Sequence, residues 1–196
     1  MPTSARNAAH VLHLLALGVW LGVLIATGAF AAVTFPLVRD LAPVLPSHAA
    51  YTGEHWRLVA GRVANRAFGV SDSIQMVCIV VSLAAGIIAY VRPAGLVCAV
   101  PRRGWSLVIL GVATLIFLGW IVFLRVPMAV YLDKYWMFAE RGNMESAAVF
   151  QGYFAQLHPY ATNLLVALTL LVLSAFITAA WPGRGVSAAQ SAGAQP

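Results

Sequence analysis

Charged residues are scarce in this chain of 196 residues, since Asp, Glu, Lys and Arg together make up 9% of it. A soluble domain of this length would have roughly a quarter of its residues charged. Hydrophobic residues reach 61% instead, and the mean hydropathy is +0.85. This composition excludes an ordinary soluble globular domain and is typical of an integral membrane protein.

Cysteine is also rare, with Cys78 inside an apolar run and Cys98 in a short connection. Two cysteines placed so differently form neither a CxxC pair nor a disulfide framework. Short catalytic signatures such as HExxH, GxSxG and the Gly-rich phosphate loop do not occur in the sequence. We therefore expect a protein that is not an enzyme.

A clustered basic region is missing, although the formal net charge is +6 and the pI is about 9.9. The Lys and Arg residues are scattered through the connections between apolar runs. Basic residues in such positions normally set membrane orientation and contact anionic lipid headgroups. We expect the lipid bilayer, and not nucleic acid, as the partner of this chain. A homo-oligomer or a larger membrane complex remains open.

Four long apolar runs predict an all-α fold, namely an integral membrane four-helix up-down bundle. Each run can cross a hydrocarbon core of about 30 Å, and backbone groups in lipid must be bonded within a helix. The predicted transmembrane domain covers residues 1–182, with spans at about residues 11–35, 71–91, 105–124 and 160–181. Residues 183–196 are small and polar, and we predict a disordered tail there.

The connections differ between the two sides of the predicted bundle. Side A has both termini and the short link between the second and third spans, and side B has two connections of about 35 residues each. In the first long connection Trp56, Val59, Val63 and Ala67 recur at helical spacing. This pattern predicts an amphipathic helix in the headgroup region. The aromatic-rich second connection predicts two more interfacial helices, separated at residues 141–143.

The five histidines also divide between the sides, with His10 and His13 on side A and His48, His55 and His158 on side B. The thickness of the bilayer separates the two groups, so they cannot share one metal ion or one haem. Zinc or copper needs more ligands than the first pair supplies. We interpret that pair as polar residues at the membrane boundary, one of them bonding a neighbouring helix, and expect no metal or cofactor.

Polar residues meet at the side B mouths of the predicted spans. Asp72 and His158 lie at the mouths of the second and fourth spans, Asn163 lies about a turn deeper, and Arg66 and Arg125 are near the same level. Ionisable groups at such depth are costly and often functional. These five residues are therefore the predicted polar pocket. Two alternatives stay open, since Asp72 could cap the start of a helix and His158 could cap another.

Three segments form a pattern that covers most of the chain: LGVWLGVLIATGAFAAVTFPLV at 17–38, RVPMAVYLDKY at 125–135 and FAQLHPYATNLL at 154–165. With Gly61-Arg62 after the first of them, they resemble the four-helix membrane family that includes human transmembrane protein 205 and bacterial members. The resemblance implies a four-helix membrane fold. It also implies that the Phe-x-x-x-His of the family falls on Phe154 and His158, and it says little about mechanism.

Together these patterns favour a non-enzymatic binding or transport-accessory bundle in a bacterial inner membrane, with the polar pocket on side B. The alternative is a redox membrane protein that handles haem or copper. That alternative is motivated by the histidines at helix mouths and by Met76, Met128 and Met144.

Overall fold

A computed structural model describes residues 3–90 and 104–181, and within these ranges every regular element is helical. The five α-helices are α1 (Thr3–Asp40), α2 (His55–Tyr90), α3 (Gly104–Trp120), α4 (Val126–Glu140) and α5 (Met144–Ala180). A short 3-10 turn at Pro46–His48 follows α1, and a π-helical turn at Ile121–Arg125 joins α3 to α4. The predicted all-α class is confirmed for this part of the chain. The predicted tail at 183–196 and Cys98 lie outside it.

Four helical stretches are long and apolar enough to cross a membrane: α1, α2, the continuous stretch Gly104–Glu140, and α5. The 36 residues of α2 measure about 54 Å at 1.5 Å per residue, whereas a hydrocarbon core is about 30 Å thick. The other three stretches have 37 or 38 residues, so each of the four is clearly longer than a membrane-spanning helix needs to be. These are the features of a multi-pass membrane protein.

Two of the predicted span boundaries, at residues 35 and 160, fall next to a proline, but neither proline ends a helix. Pro36 lies inside α1, which continues to Asp40, and Pro159 lies inside α5. The segment around Trp56 and the aromatic segment before Pro159 are continuous with α2 and α5, so neither is a separate helix. Leu58 of α2, several α4 side chains and Ala147 of α5 form one buried cluster, and this packing stabilises the extensions of α2 and α5 beyond the predicted spans.

The π-helical turn has a physical cause in Pro127. A proline cannot donate the backbone hydrogen bond that closes an α-helical turn, and its ring crowds the carbonyl four residues earlier. The helix widens over Ile121–Arg125, and α4 then begins with this proline in its first turn. The widened turn places Arg125 opposite α2, where it takes part in the site described below.

Buried side chains form two clusters. The first lies among α1, α2, α3 and α5 and includes Leu17, Trp20, Leu24, Cys78, Ile79, Leu110, Phe117, Leu168 and Val172. The second joins the first long connection and α2 to α4 and the start of α5, and includes Tyr51, Leu58, Leu132, Tyr135, Trp136 and Ala147. Residues of both clusters line one large cavity. The cavity therefore lies where the two cores meet.

His13 ties four helices together at the end of the molecule that contains the N-terminus of α1. Its side chain is 0% exposed. Nδ1 lies 2.8 Å from the carbonyl oxygen of Ser82, so it must donate to this acceptor, and Nε2 lies 3.1 Å from Ser106 Oγ. Ser106 Oγ in turn lies 2.9 Å from the carbonyl oxygen of Ala175. The predicted bond to a neighbouring helix is confirmed, and neighbouring helices bury the ring completely. The predicted position at the membrane boundary stays a prediction.

Candidate ligand cavity

A cavity of about 520 Å³ lies between the helices, with walls from α1, α2, α5 and the stretch from α3 to α4. Its volume is within the range of small-molecule sites in proteins. Most of the lining surface belongs to apolar side chains, among them Leu24, Phe35, Phe68, Phe117, Met128, Leu132, Phe154, Leu165 and Leu168. An apolar body therefore matches most of this wall.

An ion pair lies in the cavity wall. Arg125 Nε donates to Asp72 Oδ2 at 2.9 Å, and the two side chains are 18% and 16% exposed. The same guanidinium binds Asn65, with Nη1 2.7 Å from Oδ1 and Nη2 3.2 Å from the backbone oxygen. Trp120 Nε1 lies 3.5 Å from Asp72 Oδ1. We call these four residues the Arg125 cluster; it satisfies a buried charge with an opposite charge and with amide oxygens.

A second polar network crosses from α1 to α2 beside the cavity. Trp20 Nε1 donates to Gln75 Oε1 at 3.0 Å, and Gln75 Nε2 donates to Ser71 Oγ at 3.2 Å. The Ser71 and Thr27 hydroxyls lie 2.7 Å apart, and Thr27 donates its proton to the Val23 carbonyl oxygen. Each hydroxyl has one proton, so the hydrogen bonds run in one direction from the indole to the carbonyl. Every member thus has a partner, as buried polar groups require.

Three of the five predicted pocket residues line the cavity, namely Asp72, Arg125 and His158. The alternative that Asp72 starts a helix is wrong, because α2 runs unbroken through it. His158 does not cap a helix either, since it lies inside α5. Its ring is exposed and makes a tilted contact with Phe154, with centroids 6.0 Å apart.

Arg66 and Asn163 do not line the cavity, and both side chains are exposed. Each follows directly after a lining residue, Asn65 in α2 and Thr162 in α5. Successive residues of an α-helix point about 100° apart, so a neighbour of a cavity residue turns towards a different face. A position next to a lining residue in the sequence therefore did not show that Arg66 or Asn163 faces the cavity.

The predicted pocket did not include Trp20, Trp120 or Asn65. A usable signal existed for Asn65, because it precedes Asp72 by seven residues, which is two turns along one helical face. The tryptophans had a weaker signal, since a buried indole N–H needs an acceptor. Their partners could not be identified without the tertiary fold.

The histidines of the described residues do not gather into a metal site, because no group of three or more His, Cys, Asp or Glu side chains there could hold a metal ion. His55 uses both ring nitrogens, accepting from the backbone N–H of Leu45 and donating to the backbone oxygen of Tyr51, each at 2.9 Å. His13 is fully engaged as described above, and His10 Nδ1 lies 2.7 Å from the Tyr90 hydroxyl. The ring nitrogens of His13 and His55 are therefore occupied by hydrogen bonds within the fold.

His48 is buried in the short 3-10 turn outside the spanning helices. Its Nδ1 lies 2.9 Å from Ser47 Oγ, and Nε2 has no hydrogen-bond partner. Burial lowers the pKa of His48 below its ordinary value, and the positive charge of Arg62 lowers it further. Glu140 acts in the opposite direction, but more weakly. The folded protein thus favours the neutral imidazole.

Part of the cavity wall belongs to α1 and α5. Several lining residues of these two helices keep part of their surface exposed, including Gly28 and Ala31 of α1 and Ala155, His158 and Thr162 of α5. The Arg125 cluster belongs to α2 and to the stretch from α3 to α4, so it lies on other walls of the cavity.

Comparison of the chain with protein-family models, with curated proteins and with solved structures gives no match. The resemblance to the family of human transmembrane protein 205 stays a prediction from three sequence segments. The geometry of the cavity is therefore the basis for assigning a function.

Proposed function

We propose that this protein is a four-helix up-down bundle of a bacterial inner membrane that binds an apolar or amphipathic small molecule in its cavity, as a binding or transport-accessory protein and not as an enzyme. The supporting observation is the cavity of about 520 Å³ with an apolar lining and one ion pair in its wall. Protein interiors are close-packed and have few voids larger than a water molecule. A cavity of this size with a few convergent polar groups favours a ligand site.

We infer that the cavity opens between α1 and α5, where lining residues keep part of their surface exposed, and that the ligand arrives from the lipid phase. Gly28 and Ala31 belong to the first predicted span, and Thr162 belongs to the fourth. With these spans in a bilayer, the opening between α1 and α5 faces the side B half of the membrane. The extensions of α2 and α5, together with α4, would then lie in the headgroup region, where their aromatic and basic side chains are favourable.

A matched pair of substitutions tests this proposal. Ala31 lines the cavity, whereas Ala32 is exposed and does not line it. Ala31→Phe fills part of this opening, and Ala32→Phe adds the same bulk to the outer face of α1. Small molecules that co-purify with each protein are extracted and quantified by mass spectrometry. We expect wild type and Ala32→Phe to retain the same bound amphiphile, and Ala31→Phe to lose it; equal retention by all three proteins would contradict the proposal.

A further inference from the structure

We propose that the cavity recognises an amphiphile with an anionic acceptor head, a carboxylate on a single apolar chain as in a free fatty acid. The head would bind to the spare N–H groups of Arg125 and Asn65, and the chain would lie along the apolar wall. This inference rests on the proposed function and adds to it the chemical class of the ligand. It comes from a count of hydrogen-bonding groups in the cavity wall.

The acceptor oxygens of Asp72, Asn65 and Gln75 each have a partner already. Asp72 Oδ2 accepts from Arg125, and Asp72 Oδ1 faces the indole N–H of Trp120. Asn65 Oδ1 accepts from Arg125, and Gln75 Oε1 accepts from Trp20. A ligand head that can only donate hydrogen bonds, such as an ammonium group, would have to share each of these oxygens with that partner.

Donor groups, in contrast, remain available. A guanidinium has five N–H groups, and Arg125 uses three of them on Asp72 and Asn65. The Asn65 amide nitrogen has no hydrogen-bond partner among the described residues, although the amide oxygen beside it is bound. The Arg125 cluster therefore has unbound N–H groups that can donate to an acceptor on a ligand. A planar carboxylate is such an acceptor, and its shape matches a guanidinium well.

The charges at the cavity do not oppose an anionic head. The lining residues include two arginines, Arg57 and Arg125, and one carboxylate, Asp72. Arg57 is also paired with Glu54, which does not line the cavity. Both carboxylates are thus compensated by an arginine, and neither is left unpaired to repel an anionic head.

The test uses detergent-purified full-length protein and two brominated probes of equal chain length, octadecanoic acid and octadecanol. Bromine quenches tryptophan fluorescence at short range, and Trp56 and Trp120 line the cavity. The Ala31→Phe variant defines the background from probe that merely enters the detergent micelle. Because hydrogen bonds to charged groups are the stronger ones, we expect the acid to bind about tenfold or more tightly than the alcohol.

An isosteric variant tests the head position. Asn65→Asp keeps an oxygen for Arg125 to bind but replaces the spare donor with a negatively charged acceptor. We expect it to weaken binding of the acid about tenfold or more and to change binding of the alcohol by about twofold at most. Asn143→Asp is the matched control, because Asn143 does not line the cavity and caps α5 with its side-chain oxygen, a cap that Asp preserves.

The outcomes separate the two proposals. If the acid and the alcohol bind wild type equally well, the headgroup inference is overturned while ligand binding in the cavity stands. Unchanged acid affinity in a folded Asn65→Asp variant overturns the inference as well. If neither probe gives quenching that Ala31→Phe removes, the proposed function itself fails. The comparison of acid with alcohol needs only wild type and this background, so it remains decisive even where Asn65→Asp does not fold.

Discussion

Arg125 and Asp72 are 53 residues apart in the chain, yet the guanidinium Nε lies 2.9 Å from the carboxylate Oδ2 in the wall of the cavity. The pair connects the π-helical turn after α3 to the middle of α2. Both groups are mostly buried, so each depends on the other for compensation of its charge. This mutual dependence can be measured.

Removing one member of the Arg125–Asp72 pair leaves the other charge buried without a counter-charge. We expect Arg125→Met and Asp72→Leu each to lower the free energy of unfolding by about 3 kcal/mol. The double variant should lose clearly less than the sum of the two, because neither charge is then left alone. Unfolding of the purified variants in detergent measures all three.

Arg39→Gln is the control for the Arg125–Asp72 pair. Arg39 pairs with Asp40 on the surface, and its loss should change the free energy of unfolding by about 0.5 kcal/mol or less. A double variant of Arg125 and Asp72 that loses the full sum of the two single losses would argue against the coupling.

Replacing His13 should loosen four helices at once. His13→Ala removes the hydrogen bonds to Ser82 and Ser106 and leaves a hole at a fully buried position. We expect a loss of about 2–4 kcal/mol in the free energy of unfolding. His158→Ala removes an exposed ring without hydrogen bonds and should change stability by about 0.5 kcal/mol or less. Thermal unfolding of the two alanine variants side by side tests this, and similar midpoints would show that His13 does not tie the bundle together.

Two glycines should respond to alanine with opposite signs. Gly142, between α4 and α5, has a φ of +69°, and an added Cβ would lie 2.8 Å from the Cβ of Ala50. Gly142→Ala should therefore lower the free energy of unfolding by about 1–3 kcal/mol. Gly152 lies inside α5 with open space around its Cβ position, so Gly152→Ala should raise it by roughly 0.5–1 kcal/mol. Denaturant titrations of both variants check the two signs, and a stabilising effect at Gly142 would contradict the geometry of this turn.

The stability of the protein should depend on the protonation of His48. The pKa of this ring is lowered from 6.5, first by burial and then by the positive charge of Arg62; Glu140 opposes this shift, and His55 makes the smallest contribution. The unfolded chain therefore binds the proton more readily than the folded one. The free energy of unfolding should fall as the pH falls below about 6.5 and be unaffected by this group above it. Unfolding experiments across this range should show a smaller pH dependence in His48→Gln than in wild type; equal slopes would exclude His48 as the responsible group.

Part of the site could be predicted from the sequence. Asp72, Arg125 and His158 are rare ionisable residues at the ends of apolar runs, and all three line the cavity. The helical face was not predictable in the same way, as Arg66 and Asn163 show, because a single residue of displacement turns a side chain by about 100°. The two possible helix caps were misjudged for another reason. Packing of neighbouring helices continued α2 and α5 beyond the points where local capping and proline signals favour a boundary.

The sequence by itself determined the class of this protein, because hydropathy and run length are local properties, and backbone groups in lipid can be satisfied only within helices. Four long apolar helices follow from that requirement alone. Only the tertiary structure decided that His13 bonds to Ser82 and Ser106, and that Arg125 meets Asp72 and Asn65. These contacts join residues from different helices, and their geometry depends on the rotation and crossing of whole helices. No local pattern of residues encodes those quantities, so the cavity and its polar cluster are properties of the folded bundle.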